Sequence, residues 1–289
     1  MFHNLQAYPG LTQEQHRALP QVSNTDLSEL KAQVLGQLRK PNPQALAFGS
    51  HFHTATLEPA TYARTTEKCP WEQLEQLARQ VRRHRYCRDL LYRGTPELTH
   101  TATHTATGVA VKIRPDLLVI SRAGRRTTLI DFKTTSCQDL PHFLASAEQY
   151  DYDRQATLYL DALNADRFLI IGVQKNASHE VWVFDASATP GFIAQGRKKY
   201  TALLRYCASH PAATPAVPGL KRHCDIYRAR DGQYYARLET APYSESFEHL
   251  GPFPTASAAL SWLQEYRAIG TDFFLDESGR RSVPLAACA

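Results

Sequence analysis

Two short apolar runs, each carrying a single carboxylate and joined by a basic turn, limit how this chain can fold. The stretch reads Arg114-Pro115-Asp116, then Leu117-Leu118-Val119-Ile120, then Ser121-Arg122-Ala123-Gly124-Arg125-Arg126, then Thr127-Thr128-Leu129-Ile130-Asp131-Phe132-Lys133. Leu/Ile/Val-rich runs on either side of a glycine turn predict a hairpin of buried strands. Side chains alternate across a strand, so Asp131 and Lys133 share one face while Phe132 points to the other, into a core. A carboxylate in a buried strand needs a paired cation or a metal ion. Asp116, Asp131 and Lys133 at the ends of adjoining strands therefore predict a metal site with a basic helper.

The 289 residues have room for one large domain or for a domain with an appendage. An apolar fraction of 43% supplies a core, and no apolar run approaches the ~20 residues of a membrane span. The first residues lack a basic segment followed by an apolar one, so no secretory signal is expected and a cytoplasmic setting is read. A net charge of +5 permits a nucleic-acid partner without demanding one. Six cysteines without Cys-x-x-Cys spacing suit free thiols better than a disulfide framework or a zinc site.

Ser23-Asn24-Thr25-Asp26-Leu27 predicts a capped helix through Leu30 and Val34. Ser23 or Asn24 either caps that helix or, with Ser23's hydroxyl, holds a DNA phosphate at its N-terminus. Leu46, Gly49, His53 and Leu57 fall at helical spacing ahead of Pro59. Gly49 costs that helix about 1 kcal/mol against alanine, so it needs a reason, such as close packing against a neighbour. His53 lies one turn on, on the same face, while His51 sits about 200° around the helix, so both cannot face one metal. Residues 70–92 predict one long helix with Arg79, Arg82, Arg83, Arg85 and Arg88 on a basic side, which is either a solvated face or a surface tracking a DNA backbone.

Leu98–Thr103 and Val109–Ile113 predict strands. His100 and His104 would lie ~13 Å apart on one face, too far to share a metal, and Glu97 is either an extra acid at the site or a surface acid. After Lys133 come a short helix at 139–147 and an amphipathic helix at 151–163 that sets Gln155 and Tyr159 on one face. Strands at 168–173 and 180–184, and a helix through Ile193, Tyr200 and Leu204, close a domain spanning 1–210. A Pro-rich linker at 211–220 leads to a small domain at 221–289. That domain is expected to hold three strands, an Asp231-Gly232 hairpin turn and a helix from Thr255 to Arg267 whose Trp262 and Leu263 fill its core.

Gly49-x-x-x-His53, Arg114-Pro115-Asp116, Asp131-Phe132-Lys133 and Gln155-x-x-x-Tyr159 occur in that order. Together they resemble the motifs of the PD-(D/E)xK nuclease superfamily, in the branch of exonuclease VIII (RecE)-like and RecB-like proteins of phage and prophage recombination. Leu57-Glu58-Pro59 adds to the likeness, which spans residues 10 to 185. The resemblance implies an α/β (α+β) restriction-endonuclease-like core, a mixed sheet flanked by helices in αβββαβ order, with a small α+β appendage.

It further implies that Asp116, Asp131, His53 and the Phe132 backbone carbonyl hold Mg2+, with Mn2+ able to substitute. Lys133, pushed toward its neutral form between two cations, would orient or deprotonate the attacking water. Gln155 and Tyr159 would line the cleft beside it, and Ser23, Arg82, Arg83, Arg114 and Gln155 would contact DNA. Relatives with an iron–sulfur cluster hold it with four cysteines, three of them closely spaced after the core; Cys207 and Cys224 stand alone here, so no cluster is expected. The activity implied is 5′-to-3′ degradation of double-stranded DNA ends, feeding a single-strand annealing protein, by an enzyme that a ring-like homo-oligomer would keep on its template. A single-strand or endonucleolytic enzyme of the same superfamily, a non-catalytic DNA-binding module, and an interaction domain with chance motifs are the other readings.

Overall fold

The strand that carries Asp131 and Lys133 runs through the middle of a five-stranded sheet. The computed structural model describes residues 1–36, 42–121, 123, 126–176, 178–210, 223–239, 247–259, 272–275 and 283–284. In chain order its elements are β1 (Phe2–Tyr8), α1 (Gln13–Ala18), α2 (Asn24–Val34), α3 (Pro43–Leu57), α4 (Trp71–Arg83), α5 (Arg85–Arg93), β2 (Thr95–Pro96), β3 (Thr99–His104), β4 (Ala110–Ile113), β5 (Leu117–Ile120) and β6 (Thr127–Thr135). There follow α6 (Leu140–Gln149), α7 (Tyr152–Leu163), β7 (Arg167–Gln174), β8 (Val181–Asp185), α8 (Pro190–Ser209), β9 (His223–Arg228), β10 (Tyr234–Glu239), β11 (Phe247–Phe253), β12 (Asp272–Leu275) and β13 (Val283–Pro284). The chain divides into two units, one of Met1–Leu11 with Gln21–Thr214, the other of Thr12–Pro20 with Pro215–Ala289.

The central sheet of the first unit has the order β2-β5-β6-β7-β8. Its β6 and β7 are parallel and its other neighbours antiparallel. A parallel pair needs a crossover, which α6 and α7 supply. Both faces are covered, which explains why β5 to β7 read as apolar runs rather than alternating ones. On one face Leu117, Ile130, Phe132 and Leu169 pack against Phe48 and Phe52 of α3 and Leu74, Leu77 and Val81 of α4. On the other, Leu118, Leu129, Phe168 and Ile170 pack with Leu158 of α7 and Tyr200 and Leu204 of α8. Burying one such side chain contributes roughly 1.5–3 kcal/mol. A second, antiparallel sheet has the order β1-β3-β4. The mixed sheet flanked by helices is the expected fold class, and no helix among the described residues is long and apolar enough to cross a membrane.

Four details differ from the sequence reading. The long helix expected at 70–92 is two helices, because His84 takes an extended conformation and its Nδ1 accepts the Cys87 N–H to cap α5. The strand β1 was not expected; it is mostly exposed and is held by its backbone pairing with β3. Close packing does not explain Gly49, since a Cβ there would have nothing within 4 Å. In the second unit the sheet has five strands, not three, in the order β11-β10-β9-β12-β13, with β12 joining β9 in parallel. Its Asp231-Gly232 turn is present, closed by the Ala229 N–H donating to the Gln233 carbonyl. The linker at 211–220, Trp262, Leu263 and the turn residues Arg122, Gly124 and Arg125 lie outside the described residues.

Candidate active site

Helix α3 begins with the Asn42 side chain accepting two backbone N–H groups and Pro43 in its first turn. It buries Phe48, Phe52 and Ala55 on the sheet, and this turns His53 toward β6. The His53 Nε2 lies 2.9 Å from the Phe132 carbonyl oxygen and 3.5 Å from Asp116 Oδ2. The Phe132 N–H donates to the same Asp116 oxygen at 2.6 Å. Asp116, just ahead of β5, is therefore fixed by the backbone of the neighbouring strand.

Glu97 completes this group. Its backbone N–H donates to the Asp116 carbonyl at 3.1 Å, and its φ of 51° is a left-handed conformation uncommon for a residue with a Cβ. The Arg114 Nε donates to its carboxylate at 2.5 Å. One ligand atom from each of His53, Glu97 and Asp116 lies within 4.8 Å of the others. Two carboxylates and an imidazole that converge in this way suit a divalent cation such as magnesium or manganese. The electrostatics agree. Burial pushes Asp116 up to about 7; His53 draws it down, and Asp131 adds to the rise. A carboxylate so placed is short of positive charge.

Asp131 does not belong to that closest set. Its Oδ1 accepts from Gln155 Nε2 at 2.6 Å and its Oδ2 pairs with Lys133 Nζ at 2.8 Å. It is near enough to Asp116 to raise its pKa. Burial disfavours the Lys133 ammonium, but Asp131 and then Asp116 outweigh burial and hold the group above the ordinary lysine value. These two carboxylates favour the charged form of Lys133. The ammonium also lies 5.0 Å from the centroid of the Tyr152 ring. Gln155 and Tyr159 share a face of α7. Burial first, then Asp131, raises the Tyr159 phenol, and Lys133 and a backbone hydrogen bond at Arg114 partly offset them.

The remaining expected residues fall as follows. Ser23 closes a capping box with Asp26, its hydroxyl donating to Asp26 Oδ2 at 2.8 Å and accepting the Asp26 N–H at 3.2 Å. Arg114, expected to touch DNA, is half-buried, and its Nη1 donates to the Leu11 carbonyl and Thr99 Oγ1 at 2.9 Å each; it positions Glu97. Arg82 donates to the Ala55 carbonyl and lines a 390 Å³ groove with Arg88 and Tyr92. Pro96 and Leu117, next in sequence to Glu97 and Asp116, also line that groove. Arg83 is exposed. His51 pairs with Glu67 at 3.0 Å and meets the Trp71 ring edge-on, on a separate set of partners from His53. Glu97 and Tyr152 are the site residues that sequence reasoning left out or undecided. Neither has a local signal, because strand pairing and a left-handed φ bring in one and the start of α7 the other.

An acid and an acid–lysine pair on adjoining strands of a mixed sheet, met by a histidine from a preceding helix, place the molecule in the PD-(D/E)xK class. Residues 25–228, well over half of the chain, match the family model of the PDDEXK-like domain of unknown function (DUF3799), and the chain belongs to that family. Among solved structures it is similar to a candidate exonuclease of Eubacterium rectale, with 14% identity over 72% of this chain and 87% of that one and a TM-score of 0.49. It is also similar to a phage-related exonuclease of Haemophilus somnus, with 11% identity over 70% and 85% of the two chains and a TM-score of 0.37. No curated protein matches it in sequence.

Proposed function

We propose that this protein is a divalent-metal-dependent DNA exonuclease that hydrolyses phosphodiesters from double-stranded ends in the 5′-to-3′ direction, preparing single strands for annealing recombination. The observation that carries the reading is the junction of two groups. His53, Glu97 and Asp116 converge on one point, and Asp131 beside them holds Lys133 at 2.8 Å. Magnesium or manganese held by His53, Glu97, Asp116 and the Phe132 carbonyl, with Asp131 adjoining, would neutralise charge on the phosphodiester and acidify a water molecule. The protein's own groups supply the rest. Lys133 donates to the attacking water or to a phosphate oxygen. Asp131 aims Lys133, and Gln155 fixes Asp131 by donating to its other oxygen. Arg114 keeps Glu97 turned inward. Exposed Arg83, Arg85 and Arg88 give the DNA backbone a basic surface. A single-strand annealing protein would take the product strand, and a ring-like homo-oligomer would retain the template between cuts.

The test uses linear duplex DNA labelled at the 5′ or the 3′ end, a closed circle, and either magnesium or manganese. Wild type should release the 5′ label as mononucleotide and leave the circle intact. Lys133→Ala and Asp131→Ala should lose at least ~100-fold in rate with an unchanged circular dichroism spectrum. Cutting of the circle would replace this reading with an endonuclease. Binding without cleavage in either metal would replace it with a non-catalytic DNA-binding module.

A further inference from the structure

Tyr150 is the C-cap of helix α6 and is 61% exposed. Its ring stacks on that of Tyr152, with centroids 5.9 Å apart and planes 29° from parallel. The Tyr152 ring in turn lies 5.0 Å from the Lys133 ammonium. Lys133, Tyr152 and Tyr150 thus form a file that starts at the charged group of the site and ends in an aromatic ring open to solvent. Tyr150 stays well exposed with one face of its ring stacked on Tyr152.

The backbone between the two tyrosines is fixed. Asp151 has a φ of 55°, a conformation that a residue with a Cβ keeps only when its surroundings enforce it. Here they do so through ion pairs to Lys31 at 2.7 Å, Lys199 at 2.9 Å and Arg154 at 3.3 Å. The Arg154 guanidinium is itself buried and donates to Asn24 Oδ1 at 2.9 Å and to Ser28 Oγ. With the adjoining backbone set and the ring stacked on Tyr152, an exposed Tyr150 costs little backbone ordering when a flat ligand settles on it.

We infer that Tyr150 is the stacking platform for a nucleobase of the DNA strand being cut, the base next to the phosphate that Lys133 handles. The inference rests on the nuclease reading of the same site. The order of the file, cation inside and ring outside, matches the order of phosphate and base along one nucleotide. Every base has a π-face, so such a platform tolerates any sequence. It needs a base free of its partner, as in a single strand or a frayed duplex end.

The probes are a short fluorescein-labelled single-stranded oligonucleotide and an abasic oligonucleotide of the same length and charge. Their binding is followed by anisotropy with calcium as the only divalent cation, after a check that the label stays intact. Wild type should bind the base-bearing strand roughly tenfold tighter than the abasic one. Tyr150→Ala should lose that preference while keeping its affinity for the abasic strand, and Tyr150→Phe should retain it. Wild type that binds both strands equally, or a Tyr150→Ala variant that still prefers bases, overturns the platform and leaves the nuclease reading standing. Wild type that binds neither strand nor duplex DNA overturns the DNA reading and the platform with it.

Discussion

Asp116 sits where an ionised carboxylate is hard to keep. Its ordinary value of 3.8 is raised to about 7 in the folded protein, chiefly by burial. A group that binds its proton more tightly when folded gives its full stability below the unfolded pKa and loses it as pH rises to the folded one. Metal-free protein in chelator should therefore become less stable between about pH 4 and pH 7. Asp116→Asn, neutral at every pH, should remove that slope and be more stable than wild type at pH 8. Urea denaturation at pH 5 and pH 8 checks this, and a variant that keeps the wild-type pH dependence would refute it. The same residue shows what a sequence can reveal. Asp116, Asp131 and Lys133 were legible because strand alternation alone puts two of them on one face and makes a buried charge need a partner. Glu97 was not, because it reaches the site only through its own φ of 51° and the short pairing of β2 with β5. Gly49 was legible as an anomaly, but the packing expected to explain it is not there.

Helices α7 and α8 touch backbone to backbone. A Cβ on Gly196 would stand 2.0 Å from the Asp153 carbonyl oxygen and 2.5 Å from Thr157 Oγ1, so nothing larger than hydrogen fits. Gly196→Ala should push α8 away from the helix that carries Gln155, lowering stability by about 1–3 kcal/mol and slowing cleavage. Gly191→Ala, in the same helix with nothing within 4 Å of its Cβ, should be neutral or stabilise by up to ~1 kcal/mol. Thermal denaturation of the two variants separates them, and equal shifts would contradict the close approach. Helix α7 was readable because its apolar face repeats without interruption from Tyr152 to Leu163. The break between α4 and α5 was not, because the residue that makes it is His84 rather than glycine or proline, and the apolar spacing carries on past it. In β1 the burial does not alternate, so no face marks it as a strand until β3 lies alongside.

Over the whole molecule the charge of +5 is too small to fix a partner, and where the cations sit matters more. Arg83 is exposed, whereas only 10% of the Arg114 side chain is. Arg83→Ala should reduce the slope of log affinity for duplex DNA against log salt by about 1. Arg114→Ala should leave that slope unchanged and lower the melting temperature instead. Titrations at several salt concentrations decide it, and a loss of slope in Arg114→Ala would return that residue to the DNA surface. In the second unit, two strands escaped the sequence reading. One of them, β12, joins β9 by a parallel pairing that no local turn announces. The parallel pairing of β6 with β7 has a consequence for a chain still on the ribosome. Asp116, Asp131 and Lys133 are made first, yet the strand that seals their sheet spans residues 167–174, and the helix that brings Gln155 to Asp131 comes only just before it. Fragments that end earlier carry the acids and the lysine without the assembled centre.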